Sequence, residues 1–382
     1  MAEPKRFDHI VVGAGVIGLS AARWLARQNR KVLLLEQFPW PHVRGSSHGP
    51  TRITRMAYFS SVYAQMMPEA FQSWEQLEKE SGQQLYVQTG CLVLCPKTSP
   101  YLQVMKQLGI RHDIFSPEEV QQKWPHFRCP ADFVGLLEHQ GGLLYADKCV
   151  AALMNSYKAS GGHFRDKEQV ISVDQKANGQ VMVKSVNGSY VCQSVVVAVG
   201  PWAKNFWHSH GLQMPVQAEK TTMCYWQLKD PTAYWHENTP VLLVRLSDHD
   251  YYMKPSCEFP GLVQLGLHMG KSADSDKPHE TSLLPEYLSL MAKFGPEFVP
   301  AVDVSQPVSI TTCFYTESQD EHYIVDRVPE KRNIIFATGF NGHAFKLAPV
   351  MGKLIGELAT DSKTSYDMTP FQYKRFYPKH KL

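Results

Sequence analysis

The stretch FDHIVVGAGVIGLSAARWLARQNRKVLLLEQ, from Phe7 to Gln37, constrains this chain more than any other. A continuous apolar run enters a glycine turn, a run with helical period follows, and a second apolar run ends on an acid. That order predicts a βαβ unit of about thirty residues, with parallel strands and a right-handed crossover. Gly13 permits the tight turn, Gly15 lets the backbone approach a pyrophosphate, and Gly18 lets the helix pack on the sheet. Ala14, Val16 and Ile17 complete this turn at a helix start, where free N–H groups and the helix dipole favour anions. Glu36 follows Gly18 by eighteen residues, where a carboxylate can hold both hydroxyls of an adenosine ribose. An acid there disfavours a 2′-phosphate, so NAD or FAD is expected before NADP. The competing reading is an ordinary glycine turn with a solvated Glu36.

The rest of the chain repeats these textures in pieces. With 382 residues, 43% of them hydrophobic, it can bury the cores of two domains or two interleaved lobes. VVVAVGPWA, Val195 to Ala203, is a buried strand opening at Gly200, and NIIFATGFNGHAFKLAPVMGKLIGELAT is strand, glycine loop and helix. Between such pieces lie short strands and turns, with helices expected in PEAFQSWEQLEKESG, SPEEVQQKWP and DKCVAALMNSYKASGG. The fold class expected is therefore α/β. A Rossmann-like dinucleotide-binding domain over 1–85, 145–215 and 311–382 would carry a second, strand-rich domain over 86–144 and 216–310, with a mixed or antiparallel sheet.

Charge and cysteine usage exclude several functions. A net charge of +3, with basic residues scattered outside the closing YKRFYPKHKL, argues against a nucleic-acid partner. No run reaches the roughly eighteen apolar residues that span a bilayer, so no membrane association is expected. The eight cysteines are spread out with no secretory leader, which fits a reducing compartment. Cys91 and Cys95 have no histidine at ligand spacing, so core thiols are expected and no metal.

Three further stretches carry chemistry. RGSSHGPTRITRMAY holds His48, Arg52, Arg55 and Tyr58 behind the small residues Gly45, Ser46, Ser47 and Gly49, which suit backbone close to a ligand. Read as a helical turn, it projects the two arginines to similar sides, their planar forks matching carboxylate or phosphate. A solvated basic turn is the alternative. ATGFNGHAFKLAP sets Gly339, Gly342, His343 and Lys346 before a helix, which is either a ligand-facing loop or a plain one. In SITTCFYTESQDEHYIVD, Cys313 stands at the edge of an expected strand, two residues before Tyr315. By itself it is a small buried filler.

Together VVGAGVIG, GSSHGPTRITRMAY, VVVAVGPWA, CFYTESQDEHYIVDRVP, GFNGHAFKLAPVMGK and SYDMTPFQYKRF resemble the monomeric sarcosine oxidase family of flavoprotein amine oxidases, nearly end to end. The resemblance implies FAD joined through the sulfur of Cys313 to the 8α-methyl of its ring. It extends the cofactor contacts to Ser46, Ser47, Arg52, Val170, Gly200, Gly339, Gly342, His343 and Lys346. It implies oxidation of secondary amino acids (sarcosine, L-pipecolate, L-proline) at the C–N bond to an imine, with O2 reduced to H2O2. Arg55 and Lys346 match the carboxylate-binding pair, and Arg52 and His48 match residues beside the flavin ring. Tyr252, His268 and Tyr315 match pocket residues around the substrate amine.

One position departs from the pattern. The family's oxidases carry a lysine four residues before the pocket histidine, tied to the reaction with oxygen, whereas this chain has Gln264. Slow reoxidation by oxygen is then expected. Either Arg52 suffices, or another electron acceptor makes this a dehydrogenase, or the change is incidental. Loosely held FAD and a non-catalytic relative are the remaining alternatives. The closing His380-Lys381-Leu382 resembles the Ser-Lys-Leu targeting tripeptide with His380 in place of the small residue, so a peroxisomal protein met by an import receptor is expected, otherwise a cytoplasmic one. The resemblance also implies a monomer.

Overall fold

The computed structural model describes residues 4–230, 239–246, 249–277 and 285–377. The tripeptide His380-Lys381-Leu382 lies outside the described residues.

The strands His9–Val12, Val32–Leu35 and Ser194–Val197 are buried at every position. Unbroken burial of this kind belongs to parallel strands covered on both faces. They sit in a six-stranded sheet in the order His163–Arg165, Val32–Leu35, His9–Val12, Ser194–Val197, Lys331–Thr338, Ile324–Val328. All neighbours are parallel except the last pair. The helices Val16–Arg27 and Ala348–Ala359 pack against each other over this sheet, their buried aliphatic side chains sharing one core. Gly18 is required by that packing, because a Cβ there would lie 1.9 Å from the carbonyl oxygen of Gly13. Gly18→Ala is expected to lift the helix start from the turn. The flavin-free protein should take up FAD at least tenfold more slowly, and thermal stability should fall by several degrees.

A second, ten-stranded sheet is mixed. Its main path runs Gly270–Ser272, Val216–Leu228, Leu262–Leu267, Asp250–Pro255, Val241–Arg245, Cys91–Pro96, Phe133–Glu138, His112–Phe115. Neighbours are antiparallel except Val241–Arg245 with Cys91–Pro96. Period-two alternation splits the sheet chemically. One face sends Cys224, Trp226, Tyr251, Met253, Val263, Leu265 and Leu267 into a core with Phe294 and Phe298 of the helix Pro285–Phe298. The other face carries Tyr225, Tyr252, Lys254, Gln264 and Cys313, as the registers require.

Two expectations are corrected here. Thr51–Thr54 is a strand, not a helical turn, as the β-branched Thr51, Ile53 and Thr54 favour. Arg52 and Arg55 therefore do not project together by helical spacing. Cys313 lies in the interior of the ten-residue strand Ser309–Ser318 rather than at an edge, opposite Thr221. The helix signals at Ser116 and Gly82 stand as read: Ser116 closes a capping box with Glu119, and Gly82 ends the helix Met67–Ser81 in the left-handed conformation.

Candidate active site

A cavity of about 1140 Å³ lies where the two sheets meet. It exceeds the upper range of ordinary small-molecule pockets, roughly 1,000 Å³. Gly13, Ala14, Gly15, Val16, Ile17 and Glu36 line its nucleotide end. Ser46, Ser47, His48, Arg52, Val170 and Gly200 follow along the walls, and Cys313, Tyr315, Gly342 and His343 line its inner end. Gly18, Arg55, Tyr252, Gln264, His268, Gly339 and Lys346 are not among the lining residues.

At the nucleotide end the backbone is already organised. The Ala14 N–H donates to Glu36 Oε2 at 2.9 Å and the Phe38 N–H donates to Oε1 at 3.0 Å. The Val16 N–H donates to Ser47 Oγ at 2.9 Å. His42 Nε2 lies 3.4 Å from Glu36 Oε1. Burial opposes ionisation of Glu36, but His42 and the two N–H groups outweigh it and hold the carboxyl below its usual range. No side chain of Gly15 covers the start of the helix Val16–Arg27. An ionised, buried carboxylate beside such a helix start fits a ribose and a pyrophosphate.

Arg52 is held along the middle of the cavity by carbonyl groups. Its guanidinium donates to Thr51 O at 2.8 Å, Ser46 O at 2.9 Å and His48 O at 2.6 Å. These bonds satisfy donors without neutralising charge. His48 Nδ1 is buried beside it with no hydrogen-bond partner, and burial, then Arg52, pull that imidazole below its usual range. Cys313 is 7% exposed. Burial pushes its thiol up, and the Arg52 charge pulls the other way.

Behind the inner end stand two more cations. The Arg55 guanidinium lies 4.3 Å from the centre of the Tyr58 ring, and Lys346 Nζ lies 5.3 Å from the same ring. Lys346 donates to His343 O at 2.8 Å. Arg55 Nη1 is buried with no hydrogen-bond partner. Among the described residues neither cation has a carboxylate within 4 Å. The nearby Glu138 does not cancel them, because burial pushes its carboxyl up to about 8 against the pull of the Met56 N–H and Arg55. Burial, then the Arg55 charge, push the Lys346 ammonium well below its usual range. His268 keeps accessible surface beside Tyr315, ring centres 4.8 Å apart. Burial, then Lys346, Arg55 and Arg245, lower its imidazole to about 4. Gly342, at φ +64°, leaves room for both rings, since a Cβ there would come within 2.8 Å of each. The inner end thus holds unpaired positive charge beside neutral aromatic and imidazole groups.

Gly339 sits behind this loop, at φ +64°. Tyr252 and Gln264 lie on the sheet wall, Gln264 only 3% exposed. Tyr58, His42 and Lys254 went unassigned from sequence. The signal for Tyr58 was its place after the two arginines, and Lys254 has an inward strand position two residues after Tyr252. No group of three or more His, Cys, Asp or Glu among the described residues is placed to hold a metal ion.

The comparisons with known proteins agree with this geometry. The family described as FAD dependent oxidoreductase matches residues 8–358. Human peroxisomal sarcosine oxidase is 38% identical over 383 residues, covering 98% of this chain and 97% of its own. The chain belongs to the sarcosine oxidase family. Monomeric sarcosine oxidase from Bacillus sp. (strain B-0618) is 31% identical, with 97% of this chain and 96% of its own covered. Among solved structures, L-proline dehydrogenase from P. horikoshii superposes with a TM-score of 0.83 at 19% identity, covering 98% of each chain. NikD, an unusual amino acid oxidase, superposes with a TM-score of 0.82 at 21% identity, covering 96% of this chain and 97% of its own. These two structures share the fold, and the sarcosine oxidases share most of the sequence length.

Proposed function

We propose that this FAD-dependent oxidoreductase oxidises small secondary amino acids at the C–N bond to imines, with O2 as acceptor and H2O2 as product. The observation that carries the proposal is the pair of basic groups, Arg55 with its unpartnered Nη1 and Lys346 on the carbonyl of His343, standing without a carboxylate partner directly behind the inner end of a dinucleotide-sized cavity that His343 lines. A buried guanidinium N–H without a partner is costly, and a substrate carboxylate satisfies it. FAD, when bound, supplies the two-electron acceptor for the C–N bond.

Gly13 to Gly18 and Glu36 hold the nucleotide, and Ser46, Ser47, Val170, Gly200, Gly339, Gly342 and His343 shape the remaining wall. Arg55 and Lys346 fix the carboxylate, which orients the amine-bearing carbon. The same positive charges disfavour a protonated amine, so the substrate nitrogen is held with its lone pair free. His268 is uncharged at neutral pH and adds no third cation. Burial raises the Tyr252 and Tyr315 hydroxyls, so both remain O–H donors toward the amine. Arg52, His48 and Cys313 line the same cavity; the first two would border the bound flavin ring, and Cys313 would anchor it covalently. Sheet membership supports the main parts of the domain division expected above, but Ser309–Ser318 pairs in the ten-stranded sheet across the boundary at 311, and Thr51–Thr54 pairs with Gly142–Tyr145 across the boundary at 144/145. The names of the human and mouse relatives support a peroxisomal location, and the bacterial names support a monomer. An import receptor reading His380-Lys381-Leu382 is the route proposed on the sequence of the tail alone.

Peroxide release from sarcosine, L-pipecolate and L-proline in air, with a dye acceptor run in parallel, tests the proposal. Peroxide is expected with at least one substrate. Turnover with the dye alone would replace oxygen by another acceptor, and no turnover with either would overturn the function.

A further inference from the structure

Gln264 places an uncharged amide on the sheet face that it shares with the lining residue Cys313, and the strand beside it supplies a cation. Lys254 and Gln264 are direct cross-strand partners in the antiparallel pairing of Asp250–Pro255 with Leu262–Leu267. Residues directly opposed in such a pair share a face, with Cβ atoms roughly 5 Å apart. This face carries Tyr252 two residues from Lys254, Tyr225 opposite Gln264, and Cys313 across the next strand pair.

Lys254 is 3% exposed. Its ammonium donates to the hydroxyl of Thr51, and the carbonyl of that same Thr51 accepts from Arg52 Nη1. Two cations are therefore anchored on one residue just behind the cavity, and of the three only Arg52 is in the lining. Among the described residues no carboxylate lies within 4 Å of either. A buried, unpaired ammonium beside a guanidinium is unfavourable for folding, and a methionine would fill the strand position without that cost. Burial and Arg52 draw the ammonium down to about 8, with Glu258 holding it up, so it is mainly charged at neutral pH.

We infer that Lys254 supplies, from the neighbouring strand, the positive charge that Gln264 lacks, and that it promotes the reaction of the reduced enzyme with dioxygen. The inference rests on oxygen being the acceptor. The two electrons and two protons removed from the amine end on dioxygen, which leaves as hydrogen peroxide. The first electron makes an anion, superoxide, and a fixed cation lowers the energy of that step without giving up its own proton. Arg52 adds to the same field.

The test compares Lys254→Met, Lys254→Arg and the exchange variant Lys254→Met/Gln264→Lys, each as holoenzyme. Rapid mixing of the anaerobically reduced protein with oxygen should show Lys254→Met slowed roughly 100-fold, in the range found on removing one such electrostatic group. Anaerobic reduction by substrate should stay within about threefold, a split that a merely structural role does not produce. The exchange variant should recover at least tenfold of the loss, and Lys254→Arg should keep most of the rate. Independently of turnover, sulfite, an anion that adds to oxidised flavin, should bind Lys254→Met at least tenfold more weakly. Unchanged reoxidation in Lys254→Met, or equal loss in both half-reactions with no recovery on exchange, would overturn the assignment. An oxygen-inert wild type that turns over with a dye would overturn the acceptor, and the assignment with it.

Discussion

Arg55→Met is expected to reduce kcat/KM for a secondary amino acid by roughly 10³-fold, since removing one partner of a buried, hydrogen-bonded charge pair costs about 2–5 kcal/mol. Arg55 Nη1 has no protein partner, so the group available to satisfy it is the ligand. Lys346→Met should lose a comparable factor, and the double variant should lose less than the product, because both cations act on one carboxylate. The flavin spectrum should be intact in all three. A pH signature follows from the Lys346 shift. Burial and Arg55 hold its folded-state value well below the ordinary lysine range. A bound carboxylate raises it again, so binding takes up a proton between the lowered and the raised values. A carboxylate without an amine should accordingly bind more weakly as pH rises through that window. Calorimetry in buffers of different ionisation enthalpy measures the uptake directly. The stability sign is opposite: a lysine held below its unfolded value destabilises the fold as pH falls beneath that value, so Arg55→Met should not lower the melting temperature. Wild-type kcat/KM in Arg55→Met would remove this residue from the site.

The parts of this molecule that were legible in the sequence are those whose physics is local. Gly13, Gly15, Gly18 and Glu36 sit within one βαβ unit, so their spacing carried the nucleotide end almost unaided. Arg52 and Arg55 were legible as residues but not as geometry. Their spacing suits a helix, while the β-branched neighbours and the pairing with Gly142–Tyr145 make the first a strand residue. The juxtaposition of Arg55 with Lys346 depends on bringing opposite ends of the chain around the Tyr58 ring, which no local pattern encodes. Lys254 was the least legible. A lysine in a strand is usually solvated, and the burial of this one follows from its sheet face meeting Thr51, which is 203 residues away in the chain. Yet Lys254 and Gln264 lie on the two arms of one hairpin, joined by the connection from Ser256 to Gly261, so a hairpin reading of this segment would have placed the two near each other.

Cys313→Ser is expected to convert flavin that stays with acid-precipitated protein into flavin found entirely in the supernatant. In the unmodified protein a yellow pellet is the expected result. A thioether at Cys313 would cost the thiol proton and one proton of the 8α-methyl, with the two electrons released taken up by FAD and finally by oxygen. Cys313 suits that step by position more than by ease of ionisation. It is held mid-strand opposite Thr221, lines the cavity, and has its thiol raised by burial. Arg52 provides the opposing pull toward the thiolate, the form that attacks. Attachment should therefore be slow and should accelerate with pH, and Arg52→Met should slow it further, by roughly tenfold for each 1.4 kcal/mol of lost thiolate stabilisation. Mixing the flavin-free protein with FAD and following acid-stable flavin over time measures that rate. The other cysteines buried in the core, such as Cys91 and Cys224, lie outside the lining of the cavity, so neither can substitute. Acid-stable flavin in Cys313→Ser would mean that a residue elsewhere on the lining holds the ring, and the strand Ser309–Ser318 would then contribute only Tyr315 to the site.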